Sequence, residues 1–188
     1  MLAGGATAVH SGAVSYVRAD RDLEVVVEHD NDAYLGLRQL GAGGRSAEDG
    51  TPEQVRFAFP GVFETSLGDG LGTDSVYEFT TDANGPASLP GGGGPVEGLL
   101  QITNQGTELV EVSDAQPPTT GPKIELFDVT DPARSALRDD PVLLPVGDDF
   151  RVGFRIDTHG IAAGGGTGLG GAYEETISII AEEPTTLL

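Results

Sequence analysis

The sequence predicts an all-β protein in which two antiparallel sheets pack face to face as a jelly-roll-like sandwich with at most one short helix. The first observation is a series of short segments in which apolar and polar residues alternate, the period of strands buried on one face. The second is that the 188 residues include 29 glycines and 12 prolines, which gather between these segments as turn residues do. The third is that only Asp131–Asp140 carries the signals of a helix start.

The first half of the chain contains a succession of predicted strands. They are, in order, Ala13–Val17, Leu23–Val27, Ala33–Leu37, Gln54–Phe59 and Val76–Phe79. Within Gln54–Phe59 the apolar residues Val55, Phe57 and Phe59 occupy every second position, so we expect all three in the core. The polar segment Gly41–Pro52 shows no periodicity and is predicted to be a loop.

The second half continues the same pattern. The predicted strands are Val96–Thr103, Glu108–Val112, Lys123–Asp128, Asp149–Asp157 and Tyr173–Ala181. Asn104–Thr107 separates the first two, and its glycine is able to take the positive φ of a tight turn, so we predict a hairpin there. In Asp131–Asp140 we expect one or two helical turns, with Asp131 as N-cap and Pro132 at the first helical position.

The strongest alternation lies in the predicted strand Asp149–Asp157. Apolar side chains there occupy every second position against Arg151, Gly153 and Arg155, and a half-buried strand has this period. The residues that we expect in the core from this strand and from its predicted neighbour are Phe150, Val152, Phe154, Ile156, Leu100 and Ile102.

The length favours one domain, which we place at residues 18–183, followed by a short tail at 184–188. Residues 1–17 are small and weakly apolar, with no Lys or Arg before Arg18. This composition is that of the second half of a signal peptide, so we predict a secreted protein; the alternative is a plain N-terminal tail. No segment is long and apolar enough to be a membrane-spanning helix.

Charge excludes several classes of partner. Thirty acidic residues stand against ten basic ones, a formal net charge of -20. Nucleic acids and anionic membranes would be repelled, so we expect neither as a partner. Such an excess is typical of proteins adapted to high salt, where self-repulsion is screened. The chain has no cysteine, which excludes disulfides and thiolate metal sites.

Acidic turns are the best candidates for a metal site. Asp30 and Asp32 lie in one turn, and Asp69 and Asp74 lie in a glycine-rich one, so each turn offers the oxygen ligands that Ca²⁺ takes. Neither matches the EF-hand pattern, because Leu71 falls where a ligand is needed. We therefore expect no cofactor, with Ca²⁺ at these four residues as the alternative.

Signals of catalysis are absent from the sequence. His10, His29 and His159 are far apart, each beside turn residues, and are expected to be exposed. No serine stands in a nucleophile-elbow context, and the glycine-rich Gly164–Gly171 lacks the Lys-Ser/Thr ending of a phosphate-binding loop. We expect no catalytic residues and predict that the protein is not an enzyme.

Several short motifs carry a resemblance to known proteins. Gly12–Arg21 fits the pattern G-[TA]-[FV]-[ST]-x-[VA]-x-A-[DE]-R, and Asp32–Leu37, Ile102–Thr107 and Leu144–Asp157 provide further similar segments. On these motifs the chain resembles haloarchaeal secreted β-domains of unknown function. At longer range it is similar to the TasA/camelysin group and to archaeal bundling-pilus subunits, which are jelly-roll proteins that polymerise by donating an N-terminal strand.

The resemblance implies a structural subunit of a cell-surface filament, pilus or biofilm matrix. Ala13, Val14, Tyr16 and Val17 would then form the assembly strand that is exchanged between subunits, and the main partner would be a second copy of the chain. The alternative is a monomeric secreted or cell-surface domain that folds its own first strand into the sheet and binds an ion or a small ligand.

Overall fold

The computed structural model describes residues 23–29, 35–40, 45–48, 54–59, 71–82, 87–88, 95–161 and 173–184. Strands and turns make up these residues, and none of them is helical. The strands are β1 (Leu23–His29), β2 (Leu35–Gln39), β3 (Ser46–Glu48), β4 (Gln54–Phe59), β5 (Val76–Phe79), β6 (Ala87–Ser88), β7 (Pro95–Val96), β8 (Leu100–Asn104), β9 (Val110–Ala115), β10 (Lys123–Asp128), β11 (Val142–Leu144), β12 (Asp149–Asp157) and β13 (Tyr173–Glu182).

Two sheets form the sandwich, which confirms the predicted fold class. The first has the strand order β11-β9-β13-β1-β4-β3, and the second has the order β10-β12-β8-β2. Strand β5 also belongs to the second sheet, where it pairs with residues 154–157 of β12, while β8 pairs with residues 149–152. Because β10 occupies the other side of β12, β5 and β8 lie end to end along one side of that strand.

Strand β1 is central to the first sheet. It runs antiparallel to β4, with Leu23 opposite Phe59, and parallel to β13, with Leu23 opposite Tyr173. Every other ladder that the structure describes is antiparallel. Two parallel neighbours cannot be joined by a tight turn. Accordingly, β1 and β13 are the first and the last of the described strands in the sequence.

The core lies between the two sheets and contains every core residue predicted above. The predicted core residues that are buried are Val55, Phe57, Phe59, Leu100, Ile102, Phe150, Val152, Phe154 and Ile156. Aromatic rings of the two sheets meet there: the centroid of Phe154 lies 4.5 Å from that of Phe57 and 5.4 Å from that of Phe59. These separations are those of favourable aromatic pairs.

The predicted hairpin around Asn104–Thr107 is wrong, because β8 belongs to the second sheet and β9 to the first. The buried side chain of Asn104 explains the crossing. Its Nδ2 donates to the carbonyl oxygens of Glu108 at 2.8 Å and Leu144 at 2.9 Å, while its Oδ1 accepts from the N–H of Gly106 at 2.9 Å. These bonds satisfy backbone groups of the crossover that hairpin pairing would otherwise satisfy.

Besides the two-residue β6, which pairs with β7 in a small sheet of its own, two short strands were not predicted from the sequence. Strand β3 lies within the predicted loop Gly41–Pro52, and β11 lies in a segment to which no element was assigned. Both are only three residues long, and both are at the edges of the first sheet. Segments this short are too brief to show a period of two, so pairing with β4 and β9 decides their conformation.

Residues 131–140 form turns in place of the predicted helical turns. The Asp131 carboxylate does accept hydrogen bonds as an N-cap would, from the N–H groups of Ala133 at 2.9 Å and Ser135 at 2.8 Å. Arg134, however, has a φ of 49°, which lies outside the right-handed helical region. The chain therefore turns back towards β10 after one capped turn.

Candidate functional site

The structure tests only a part of the sites predicted from the sequence. The predicted site residues that lie outside the described residues are Ala13, Val14, Tyr16, Val17, Asp30, Asp32 and Asp69. Asp74 and His159 lie within them and are exposed. Over the described ranges, no group of three or more His, Asp or Glu side chains is arranged to hold a metal ion.

Asp74 joins two neighbouring loops of the second sheet. Its Oδ1 accepts from the N–H of Gly160 at 2.9 Å, and its own N–H donates to the carbonyl of Thr158 at 3.3 Å. The buried hydroxyl of Thr158 donates to the carbonyls of Gly72 and Ser75, at 2.8 and 3.0 Å. Asp74 thus has a structural role in this loop pair, and its φ of 50° is held by these bonds.

The sheet edges are candidate interaction features of this sandwich, because exposed edges pair with further strands. The outer edge of β10 is covered by the chain itself. The carbonyl of Leu126 accepts from the N–H of Leu137 at 2.8 Å. The N–H of Ile124 donates to Oε1 of Gln116 at 2.9 Å, and its carbonyl accepts from the guanidinium of Arg138. We call the covering segment, residues 131–140, the strap.

Three other edges are short or face the opposite sheet. Strands β3 and β11 offer only three residues each, and β11 is flanked by Pro141 and Pro145, which lack the N–H that a new strand would need. Strand β2 comes within 8 Å, Cα to Cα, of residues in β3 and β4. The two sheets therefore approach each other at β2.

Strand β5 has a described partner on one side only, β12. The N–H of Thr158 donates to the carbonyl of Ser75, which extends this ladder by one position. Alternate residues face the partner in an antiparallel pair, so the backbone groups of Val76 and Glu78 point away from β12. Among the described residues no backbone group pairs with them.

The side chains of β5 divide between two faces. Tyr77 and Phe79 are half-buried and pack against the core, and the ring of Phe79 lies 4.7 Å from that of Phe59. Val76 is 50% exposed, which is unusual for a valine in a strand. The edge of β5 therefore combines backbone groups to which no described residue pairs with aromatic side chains that are only partly covered.

An ion-pair network stabilises the outer face beside this edge. Glu78 accepts from Arg155 at 2.8 Å and from Arg134 at 2.6 Å, and these two guanidinium groups, Arg155 foremost, lower the pKa of Glu78. Arg155 also binds Glu125 of β10 at 3.1 Å. The guanidinium groups of Arg134 and Arg155 each lie 5.5 Å from the ring centroid of the buried Phe127. Strands β5, β10 and β12 and the strap are thereby fixed together at a point where the net charge is close to neutral.

A buried ion pair connects the strap to the first sheet. Asp114 of β9 is 3% exposed, and its carboxylate binds both the guanidinium and the backbone N–H of Arg138. Burial raises the pKa of Asp114, and the hydrogen bonds and charge of Arg138 only partly oppose this rise. The pair joins the sheets, because Arg138 also donates to the carbonyl of Ile124 in β10.

Sequence reasoning missed three buried carboxylates, Asp82, Asp114 and Glu175, of which the strand pattern could have found the last two. Asp114 shares a strand face with Val112, and Glu175 shares one with Ile177 and Tyr173, so the period of two would have placed both inward. Glu175 accepts from the hydroxyl of Thr119 at 2.6 Å and ties the crossover that precedes β10 to β13. An acidic residue in an inward position predicts a partner of this kind.

Comparison of the chain with protein-family models, curated proteins and solved structures gave no match. In the described part of the chain, no helix is long and apolar enough to cross a membrane.

Proposed function

We propose that the chain is a non-enzymatic structural subunit of an extracellular filament, pilus or biofilm matrix on the cell surface. Subunits are joined by exchange of the N-terminal strand Ala13–Val17, which one copy donates to the next. The proposal is supported by the all-β sandwich, by the apolar composition of this segment and by the arrangement of the sheet edges.

The observation that carries the proposal is the position at which the first sheet begins. Its six described strands are hydrogen-bonded to one another in an unbroken row, and the earliest of them in the sequence begins at Leu23. Leu23 itself is paired on both sides, with Phe59 and with Tyr173. None of the described ladders of this sheet involves a residue before Leu23. A copy that donated Ala13–Val17 would therefore keep all of these ladders.

The energetics leave the segment close to balance between a paired strand and a free tail. Burying all of Ala13, Val14, Tyr16 and Val17 is worth at most about 4–8 kcal/mol. Ordering five backbone residues costs about 5–10 kcal/mol. The two terms nearly cancel before ladder hydrogen bonds are counted, so the segment is poised between paired and unpaired states. Concentration then decides whether it joins a neighbouring copy.

The edges give such an assembly a direction. The strap closes β10, and short or proline-flanked strands close the two ends of the first sheet, so these edges resist indiscriminate pairing. A subunit with one donated strand and one accepting edge makes a heterologous contact, which produces an open filament when the rotation does not close a ring.

Deleting residues 1–17 is expected to leave a folded monomer that no longer forms filaments. The described strands begin at Leu23, so the deletion removes none of their ladders. Negative-stain microscopy and sedimentation velocity in concentrated KCl check the result, since screening is needed to offset the net charge of -20. A synthetic peptide of residues 10–20 should bind the deletion variant.

A length-matched control keeps all residues of the N-terminus but removes its apolar side chains. In this variant Val14, Tyr16 and Val17 are all replaced with serine, and filaments should again be lost. If the deletion variant forms filaments as readily as the intact chain, or if the intact chain stays monomeric at high concentration and high salt, the proposal fails. The monomeric surface domain then becomes the better account.

A further inference from the structure

We infer that the outer edge of β5 is the acceptor for Ala13–Val17 of a second copy of the chain. This inference rests on the proposed function and adds to it the surface at which the donated strand is received. The incoming strand pairs with Val76–Phe79 on the side away from β12, and so extends the second sheet.

The first argument is the position beside β5, which none of the described strands occupies. Strands β5 and β8 lie end to end along β12, and β2 pairs with β8, but no described strand continues that row beside β5. The backbone groups of Val76 and Glu78 point into this position, as the ladder to β12 requires. Two residues of this kind supply up to four hydrogen bonds to an added strand.

The second argument is the fit of the side chains. An added strand places alternate side chains next to Tyr77 and Phe79, the two partly buried aromatic residues of the inner face. In Ala13–Val17 the alternation places Val14 and Tyr16 together on one face. These two side chains would cover the aromatic rim of the core, while Ser15 would lie on the outer face opposite Glu78, with Val76 as its diagonal neighbour about 7–8 Å away.

The third argument is that the edges of β10 and β11 are less accessible to an added strand than the edge of β5. The strap occupies the edge of β10 through Leu137 and Arg138. Strand β11 has a comparably exposed apolar residue, Leu143 at 56%, but the prolines on either side restrict pairing to three residues. The edge of β11 is therefore a matched control for the edge of β5.

Charge also distinguishes the two edges. Beside β5 the carboxylate of Glu78 is neutralised by Arg134 and Arg155. The loop that follows β11 carries Asp148, and β12 begins with Asp149; neither has a salt bridge in the described part of the chain. In a chain with a net charge of -20, a locally balanced edge is the one where two copies approach with the least repulsion.

Cross-linking tests the inference, because the chain has no cysteine of its own. Ser15→Cys is introduced in one batch of protein and Val76→Cys in another, and the two are mixed under filament-forming conditions with a short bis-maleimide. The expected result is a band at twice the mass of one chain that contains both variants. Replacing the acceptor with Leu143→Cys, at the edge of β11, should abolish that band.

A second variant tests the edge without a cross-link. Val76→Pro removes an N–H that faces away from β12 and leaves the ladder to that strand intact. Filament formation should be lost while the thermal midpoint of the monomer stays near that of the intact chain. Peptide of residues 10–20 should also lose its binding to the deletion variant when Val76→Pro is added.

The outcomes separate this inference from the proposed function. Filaments that form but cross-link only through Leu143→Cys, or through neither acceptor, overturn the assignment to β5 and leave strand exchange standing. A cross-link within one chain carrying both Ser15→Cys and Val76→Cys, with no filaments, shows that the segment folds back on its own β5. That result contradicts the proposed function, but it supports the assignment of β5 as the edge that receives Ala13–Val17.

Discussion

Replacing Phe154 with alanine is expected to lower the free energy of unfolding by about 3–5 kcal/mol. Phe154 is fully buried in β12, and its ring is in contact with Phe57 and Phe59 of the facing sheet. The truncation removes aromatic contacts that link the sheets and leaves a cavity between them. Urea unfolding at constant high salt measures the change.

Leu143→Ala is the matched control for this substitution. Leu143 is also an apolar strand residue, but it is 56% exposed, so its truncation should change the free energy of unfolding by no more than about 0.5 kcal/mol. A loss below about 1 kcal/mol for Phe154→Ala would show that the two sheets do not depend on this contact.

Replacing Arg138 with methionine is expected to cost about 3–5 kcal/mol at neutral pH, because Asp114 would be left buried without its counter-charge. Methionine keeps most of the apolar volume of the side chain, so the loss reports on the ion pair rather than on packing. The strap would lose its bond to Ile124 as well, and hydrogen exchange at the edge of β10 should accelerate.

The cost of Arg138→Met should depend on pH in a defined direction. Burial raises the pKa of Asp114 above its ordinary value even with Arg138 present, so its contribution to stability is largest when it is protonated and falls as the pH rises through the folded-state pKa. Without Arg138 that pKa rises further. The destabilisation should therefore be smaller at about pH 5 than at about pH 8.

Asp114→Asn supplies the control for the pair. An amide still accepts from the backbone N–H of Arg138 but carries no charge, so combining it with Arg138→Met should restore part of the stability lost in the single variant. If the double variant is as unstable as Arg138→Met at every pH, the buried charge of Asp114 is not the cause of the loss.

Much of the fold was predictable because strongly alternating strands are specified locally. The apolar residues at every second position of β12 and β4 are buried as expected, because the apolar face of each strand is stable only when it packs into the core. The same pattern also contained Asp114 and Glu175, whose inward positions follow from their neighbours.

What the sequence did not predict depends on contacts between distant segments. A turn such as Asn104–Thr107 is compatible with a hairpin or with a crossing between sheets, and bonds from Asn104 to Leu144 decide for the crossing. The helical signals of Asp131 and Pro132 act over one turn, after which the strap follows the edge of β10. Likewise, an edge such as that of β5 is defined only once both sheets are assembled.

The most direct test of strand exchange is a chain-termination experiment. The variant without residues 1–17 keeps the accepting edge but has no strand to donate, so a growing filament that incorporates it should stop at that end. Adding small, increasing fractions of this variant to the intact chain in concentrated KCl should shorten the filaments in proportion, as measured by their length distribution in negative stain. Filaments whose lengths do not change with the added fraction would contradict assembly through Ala13–Val17.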